Sequence, residues 1–335
     1  MEQCAQFTVG TVEVTAAAAA ALAAMGEEPS TYVARHQAGD WGHVDPQRRE
    51  DNVFGARYGH DVVSLYALGD GTEIHVETSL DHALTRVLLA TEYVAKCTVS
   101  VGEGYALWAS SYDRERNPLI GVEERYLPEL EAGVSARTVL DVGAGTGRQT
   151  LRWARRGARV TAIDQSPEML ARAREAAAAE QLAVTFQAGA IESGLPVETG
   201  AVDLVVCSLM LSHLANLHAA IAECARAVRV GGHLLLTDLH PACTALGWHA
   251  EVRRPGIVYA MPGHCHTRDA YLAALQESGC SVLRVIDAVV RDVPEGYTRE
   301  SFIRACGDIP FCLLILARKD GRTVCAPSRR SGNIE

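Results

Sequence analysis

The chain has 335 residues, 48% of them hydrophobic and 21% charged, with a formal net charge of −10 at pH 7. That length and composition suit a globular protein of two domains. The acidic balance, without any long basic run, argues against a phosphate-binding nucleic-acid surface and leaves a small molecule as the expected partner. No apolar stretch reaches the roughly 20 residues of a membrane span, and the Ala-rich stretch at 15–25 follows an acidic rather than a basic start. A cytoplasmic location is therefore expected. The ten cysteines are scattered without a CxxC pair, so reduced thiols are expected, with Cys224 and Cys312 as core residues in apolar periodic segments.

In chain order, the Ala-rich stretch at 15–25 and the segment Pro29–Gln37 read as helices. A polar turn region at 39–47 follows, where Asp40, Trp41 and His43 are expected to fix a loop. Alternating stretches at 61–68 and 72–80 flank Asp70-Gly71 and read as a β-hairpin. A third strand is expected at 83–90. Residues 1–98 are thus expected to form a small α+β accessory domain, with no metal-ligand spacing and no nucleophile arrangement. The stretch "ARHQAGDWGHVDP" is similar to short bacterial proteins of unassigned function, which supplies no activity.

From about residue 99 strands and helices alternate. Strands are expected at 138–145, 159–164, 184–189, 201–209, 233–239, 281–287 and 311–319. Helices are expected at 148–157, 166–180 (with Ser166 as N-cap), 217–229 and 267–278. This alternation predicts an α/β fold: a Rossmann-like, doubly wound, mostly parallel seven-stranded sheet over 99–320, preceded by the small α+β domain. Residues 321–335 are expected to be a disordered tail. Ligands in such sheets sit outside the carboxyl ends of the strands, here Asp141 to Gly147, Asp164, Gly189 to Glu192, Cys207 to His213, and Asp238 to His240.

The stretch "VLDVGAGTGR" (139–148) places Gly143, Gly145 and Gly147 directly after an apolar run. A dinucleotide site favours GxGxxG; here the order is GxGxG, with Arg148 where that pattern has its third glycine. Asp164 ends the second strand, where a carboxylate accepts from ribose hydroxyls of several cofactors. Asp141 discriminates among them. It would repel a pyrophosphate but attract the ammonium of a methionine moiety, by ~1.5–3 kcal/mol for a charge-assisted hydrogen bond. The loop is therefore expected to hold S-adenosyl-L-methionine.

With "VTAIDQSPEMLARAR", "VDLVVCSLMLSHL" and "AVRVGGHLLLTDLHP", this stretch resembles the class I S-adenosylmethionine-dependent methyltransferases of small-molecule type, over about 105–319. The resemblance implies that Gly143, Ala144, Gly145 and Gly147 admit the methionine and ribose, that Asp141 serves the ammonium group, and that Asp164 binds the ribose. It places Met169 or the preceding Gln165 near the adenine and Cys207 at the end of the fourth strand. Where many members carry an aspartate facing the adenine, this chain has Ala190, so Glu192 or the backbone at Ala190 and Ile191 would take over. It also implies that "YALWASSYDRERNPL" folds as a gate, with Tyr112 near the sulfonium and Tyr105 and Trp108 beside the acceptor. The alternative is plain helix packing.

The acceptor side is expected to use a histidine base where the acceptor carries a proton, His240 after the fifth strand or His213 after the fourth. The insertion at 240–269 is expected to carry acceptor specificity, with Cys243, His264, Cys265 and His266 as pocket residues. Together with His240 and His249 these are soft ligands, but their spacing matches no zinc pattern and no metal is expected. Arg253 and Arg254 either pair with an acceptor carboxylate or are solvated. Two alternatives stay open: a thiol, sulfide or arsenite acceptor, and a non-catalytic cofactor-binding regulator. A homodimer through the N-terminal domain is compatible with the sequence.

Overall fold

The computed structural model describes residues 7–80 and 82–321. In chain order they form β1 (Thr11–Val14), α1 (Ala16–Met25), α2 (Pro29–Gln37), α3 (Pro46–Tyr58), β2 (Val62–Ala67), β3 (Glu73–Thr78), β4 (Leu84–Leu89), β5 (Val94–Thr98), α4 (Val101–Trp108) and α5 (Pro118–Leu130). Next come β6 (Thr138–Val142), α6 (Arg148–Arg155), β7 (Arg159–Asp164), α7 (Pro167–Ala179), β8 (Val184–Ala188), β9 (Val202–Ser208), α8 (Leu217–Ala227) and β10 (Val228–Leu239). The chain continues through α9 (Pro241–Ala245), β11 (Glu251–Arg254), β12 (Ile257–Ala260), α10 (Arg268–Glu277), β13 (Cys280–Val289), α11 (Glu300–Cys306) and β14 (Pro310–Lys319). The residues divide into two compact units. One comprises the chain up to Glu124 with 247–263 and 289–309; the other comprises 125–246, 264–288 and the chain from Pro310.

In the first unit a four-stranded sheet has the order β1-β4-β3-β2. The hairpin expected at Asp70-Gly71 is β2–β3, with Leu65 opposite His75. Asp40 fixes its loop as expected, accepting from the Gly42 amide at 3.2 Å through its side chain and from the Tyr66 hydroxyl at 2.5 Å through its carbonyl. Ala18, Leu22, Tyr32, Val33, Tyr66, Ile74, Val76 and Val87 make the core between α1, α2 and the sheet. Helix α3 begins inside the stretch expected to be turn. Asp45 accepts from the Arg48 amide at 2.9 Å and Pro46 holds the first helical position, a start signal that the polar composition obscured.

Residues 247–263 of the insertion after β10 belong to the first unit. Residues 251–260 form the hairpin β11–β12, and β12 pairs in parallel with β5 in a three-stranded sheet. The buried Glu77 carboxylate accepts from the Gly256 amide at 2.5 Å and secures the hairpin turn. Arg254 donates to the Leu107 carbonyl at 2.8 Å and the Ser111 hydroxyl at 3.1 Å, so it is pinned within its own unit. This pairing is why the compact units do not divide at 98/99: the insertion belongs with β5.

The second unit holds all seven strands expected for the sheet, in the order β13-β14-β10-β9-β6-β7-β8. Strands β10, β9, β6, β7 and β8 run parallel, and β14 is antiparallel to β10. The strand order reverses between β6 and β9, which makes the carboxyl ends of those two strands the topological switch point where such folds bind ligands. The expected helices correspond to α6, α7, α8 and α10, and Ser166 caps α7 by accepting from the Met169 amide at 3.2 Å. Residues of β6, β9, β10 and β14 pack with α8 and α10 in one apolar core. The expected tail lies, but for Gly321, outside the described residues.

Candidate cofactor and acceptor site

Strand β6 delivers the glycine loop to the switch point, and β7 anchors it. The amides of Gly143 and Ala144 both donate to the Ile163 carbonyl at 2.9 Å. The Gly145 amide donates to Asp164 Oδ2 at 2.7 Å, and the Ser166 amide donates to Asp164 Oδ1 at 2.8 Å. Gly145 has φ of +56°, in the left-handed region open to glycine, and a Cβ built on it meets nothing within 4 Å. The loop thus presents backbone to open space beside a carboxylate. Burial raises the Asp164 carboxyl above its ordinary range, against the amides of Ser166, Gly145 and Gln165, which favour its charge. A carboxylate oxygen has more than one acceptor site, so these amides leave capacity for ribose hydroxyls.

Asp141 is the unusual group. It is 1% exposed, its Oδ2 accepts from the Thr150 hydroxyl at 2.5 Å, and its Oδ1 is buried without a partner. Burial lifts the carboxyl to about 6; the Thr150 hydroxyl and the Arg148 guanidinium oppose that rise. An orphaned buried acceptor costs free energy until a donor arrives. These groups therefore fit a cofactor that carries an amino acid, with an unpartnered carboxylate oxygen to accept from an ammonium group, an open glycine backbone and a second carboxylate. Arg148 donates to the Ser208 hydroxyl at 3.0 Å and ties α6 to the carboxyl end of β9.

The remaining expected residues are placed as follows. Gln165 is exposed, whereas Met169 is 1% exposed in the first turn of α7. Ala190 is half-buried and Ile191 joins the apolar core. Cys207 lies near the end of β9, with its side chain in the core and its thiol hydrogen-bonded with Cys224, because alternate residues of β9 face α8. Tyr105, Trp108 and Tyr112 belong to the first unit. There the rings of Trp108 and Tyr112 meet edge-to-face at 5.0 Å, Tyr105 stacks on Trp108 at 6.0 Å, and the Trp108 indole donates to Glu115 at 2.7 Å.

On the acceptor side His240 is a helix cap. Its Nδ1 accepts from the Ala242 amide at 3.1 Å, which leaves Nε2 to donate to Asp287 Oδ1 at 3.2 Å. Both ring nitrogens are engaged, and burial lowers its basicity despite the Asp287 carboxylate. Cys243 is fully buried and its thiol donates to the Pro310 carbonyl at 3.1 Å. Cys265 is exposed. The His264 amide donates to the Ser212 carbonyl at 2.7 Å, and His266 Nε2 donates to the Leu214 carbonyl at 2.7 Å. His264 and His266 therefore strap the turn that carries His213, which is half-buried. Among the described residues no group of three or more His, Cys, Asp or Glu side chains is placed to hold a metal ion, and no helix is long and apolar enough to cross a membrane.

Sequence reasoning missed Thr150, and it placed Asp238 at a strand end without its burial. The first shows no local signal, since it meets Asp141 only once α6 folds back over β6. The second was visible as a charged residue inside the apolar run "HLLLTDL".

A family model described as a methyltransferase domain matches residues 140–236, from β6 into β10. The ubiquinone biosynthesis O-methyltransferase of Xanthomonas oryzae pv. oryzae is 40% identical over 110 residues, 32% of this chain and 46% of that one. The enzyme of the same name from Cronobacter sakazakii is 34% identical over 115 residues, 34% of this chain and 47% of that one. The chain thus spans about half the length of these curated relatives. A solved S-adenosylmethionine dependent methyltransferase from Mesorhizobium loti aligns with 59% of this chain and all of its own, at 24% identity and a TM-score of 0.45. Residues 140–236 of this chain are a class I S-adenosylmethionine-dependent methyltransferase domain.

Proposed function

We propose that the chain transfers the methyl group of S-adenosyl-L-methionine to a small-molecule acceptor. The observation that carries this reading is the unpartnered Oδ1 of Asp141, buried beside an open glycine loop anchored by Asp164. In it, Asp141 holds the ammonium group, Asp164 the ribose, and the side-chain-free backbone at Gly145 leaves room for the atoms between them. The bound cofactor supplies an activated methyl, which passes in line to the acceptor's lone pair as the sulfur keeps the bonding electrons, giving S-adenosylhomocysteine. The O-methyltransferase names of the relatives support a small-molecule acceptor.

For an acceptor that loses a proton, His213 after β9 and His240 after β10 are the two candidate bases, and His240 would act only by giving up its bond to Ala242 or to Asp287. A thiol or arsenite acceptor is disfavoured: Cys207 and Cys243 are buried and hydrogen-bonded, and only Cys265 of the three is exposed. Calorimetric titration with S-adenosylmethionine, followed by transfer of its labelled methyl group to a metabolite pool, tests the reading. Labelled product is expected. Binding without turnover on any fraction would favour the regulator, and absence of binding would remove the cofactor assignment.

A further inference from the structure

The turn after β9 carries a strained residue and is tied down from below. Leu209 has φ of +57°, an uncommon conformation for a side chain branched at Cγ, which persists only where the surroundings over-determine it. Three hydrogen bonds to β10 do so. The Leu209 amide donates to the Thr237 carbonyl of β10 at 2.8 Å. Ser212 then gives two bonds to Asp238, from its amide to Oδ2 at 2.6 Å and from its hydroxyl to Oδ1 at 2.7 Å. Asp238 is 2% exposed, and it also accepts from the Leu239 amide at 2.8 Å and the Tyr271 hydroxyl of α10 at 2.9 Å.

A carboxylate buried this deeply is costly, and replacing such groups by apolar ones is often neutral or stabilising. Its donors make it tolerable, and two of them come from Ser212 in the turn itself. Between Leu209 and the Ser212 anchor lie Leu211, buried in the core, and Met210, whose side chain covers Gly143 of the cofactor loop: a Cβ on Gly143 would meet Met210 Cγ at 2.7 Å. The chain of contact runs from Tyr271 through Asp238 and Ser212 to Met210 and Gly143, all within one compact unit.

We propose that Tyr271, Asp238 and Ser212 are positioning residues that set Met210 against Gly143, and that Met210 so held is a determinant of cofactor binding. This rests on the reading that the glycine loop holds S-adenosylmethionine. Tyr271 touches no part of the glycine loop in this chain of contact, so its effect on the cofactor runs through the turn.

The probe is S-adenosylhomocysteine, titrated calorimetrically into the full-length wild type, Tyr271→Phe, Met210→Ala and the double variant. Hydrogen exchange at the Ser212 amide is followed in parallel. Tyr271→Phe keeps the ring and loses only the donor to Asp238. It is expected to speed exchange at Ser212 and weaken S-adenosylhomocysteine binding about tenfold. Met210→Ala is expected to weaken binding to a similar degree, and the double variant to lose less than the product of the two factors. Ser212→Ala should repeat the Tyr271→Phe result. Unchanged affinity in Tyr271→Phe, with or without faster exchange, overturns the inference, as do fully multiplicative losses in the double variant. Failure of the wild type itself to bind would instead remove the cofactor reading on which the inference stands, and is seen before any variant is made.

Discussion

Replacing Asp141 with asparagine should make the free protein more stable and the cofactor site worse. Burial holds the Asp141 carboxyl near 6, above its ordinary 3.8. Between those values the unfolded chain ionises while the folded one stays protonated, so stability falls as pH rises through this window and the loss is complete above about 6. A rise of about two units corresponds to about 3 kcal/mol. Asparagine keeps an acceptor for Thr150 but buries an unpartnered NH2, at a cost of about 1–2 kcal/mol. Thermal melts should therefore show Asp141→Asn stabilised by about 1–2 kcal/mol at pH 7.5, with the gain gone at pH 4. Cofactor affinity moves the other way. An ammonium group wants the ionised carboxylate, so wild-type affinity for S-adenosylmethionine should fall about tenfold per pH unit below 6 and level off above it. The variant should bind roughly 10- to 100-fold more weakly at pH 7.5 and lose that pH dependence. Calorimetry at pH 5, 6, 7 and 8 on both proteins decides the matter. Equal affinity at pH 7.5, or a wild-type affinity flat from pH 5 to 7, would refute the assignment of the orphaned oxygen to the ammonium group.

Asp164→Ala removes the acceptor for the Gly145 and Ser166 amides as well as the proposed ribose ligand, and should weaken cofactor binding by ~1.5–3 kcal/mol; unchanged affinity in a folded variant would contradict that role. In the first unit His36 bonds to Ser64 at 2.6 Å and Thr78 at 2.9 Å, and burial lowers its basicity to about 3 from an ordinary 6.5. The unfolded chain takes up a proton that the folded one refuses, so stability should be lost as pH falls from 6.5 toward 3, by up to about 5 kcal/mol. Urea titrations at pH 7 and 4.5 should show that fall in wild type and a smaller one in His36→Gln. Deleting residues 1–98 removes β5 and Glu77, which pair with and anchor the β11–β12 hairpin. The truncated chain should melt at a lower temperature than the full one, and an unchanged melting point would show that the hairpin does not depend on those partners.

The seven strands of the large sheet, four of its helices and the β2–β3 hairpin were legible in the sequence because each depends on local periodicity: apolar alternation, a helical stripe with a cap such as Ser166, or the Asp70-Gly71 turn. The glycine loop was legible for the same reason, since Asp141 to Arg148 are contiguous and their order alone separates one cofactor class from another. What tertiary structure decided is everything that depends on a partner far along the chain. His240 looked like a free base, yet Asp287 and the α9 amide occupy both of its nitrogens. Cys243 looked like a pocket ligand, yet it faces the Pro310 carbonyl. The β11–β12 hairpin looked like an acceptor loop, yet it completes a sheet with a strand more than 150 residues earlier. Asp141 lies between the two cases: its position was readable, but the orphaned oxygen that gives it a task exists only because α6 folds back, Thr150 takes one oxygen, and burial denies water to the other.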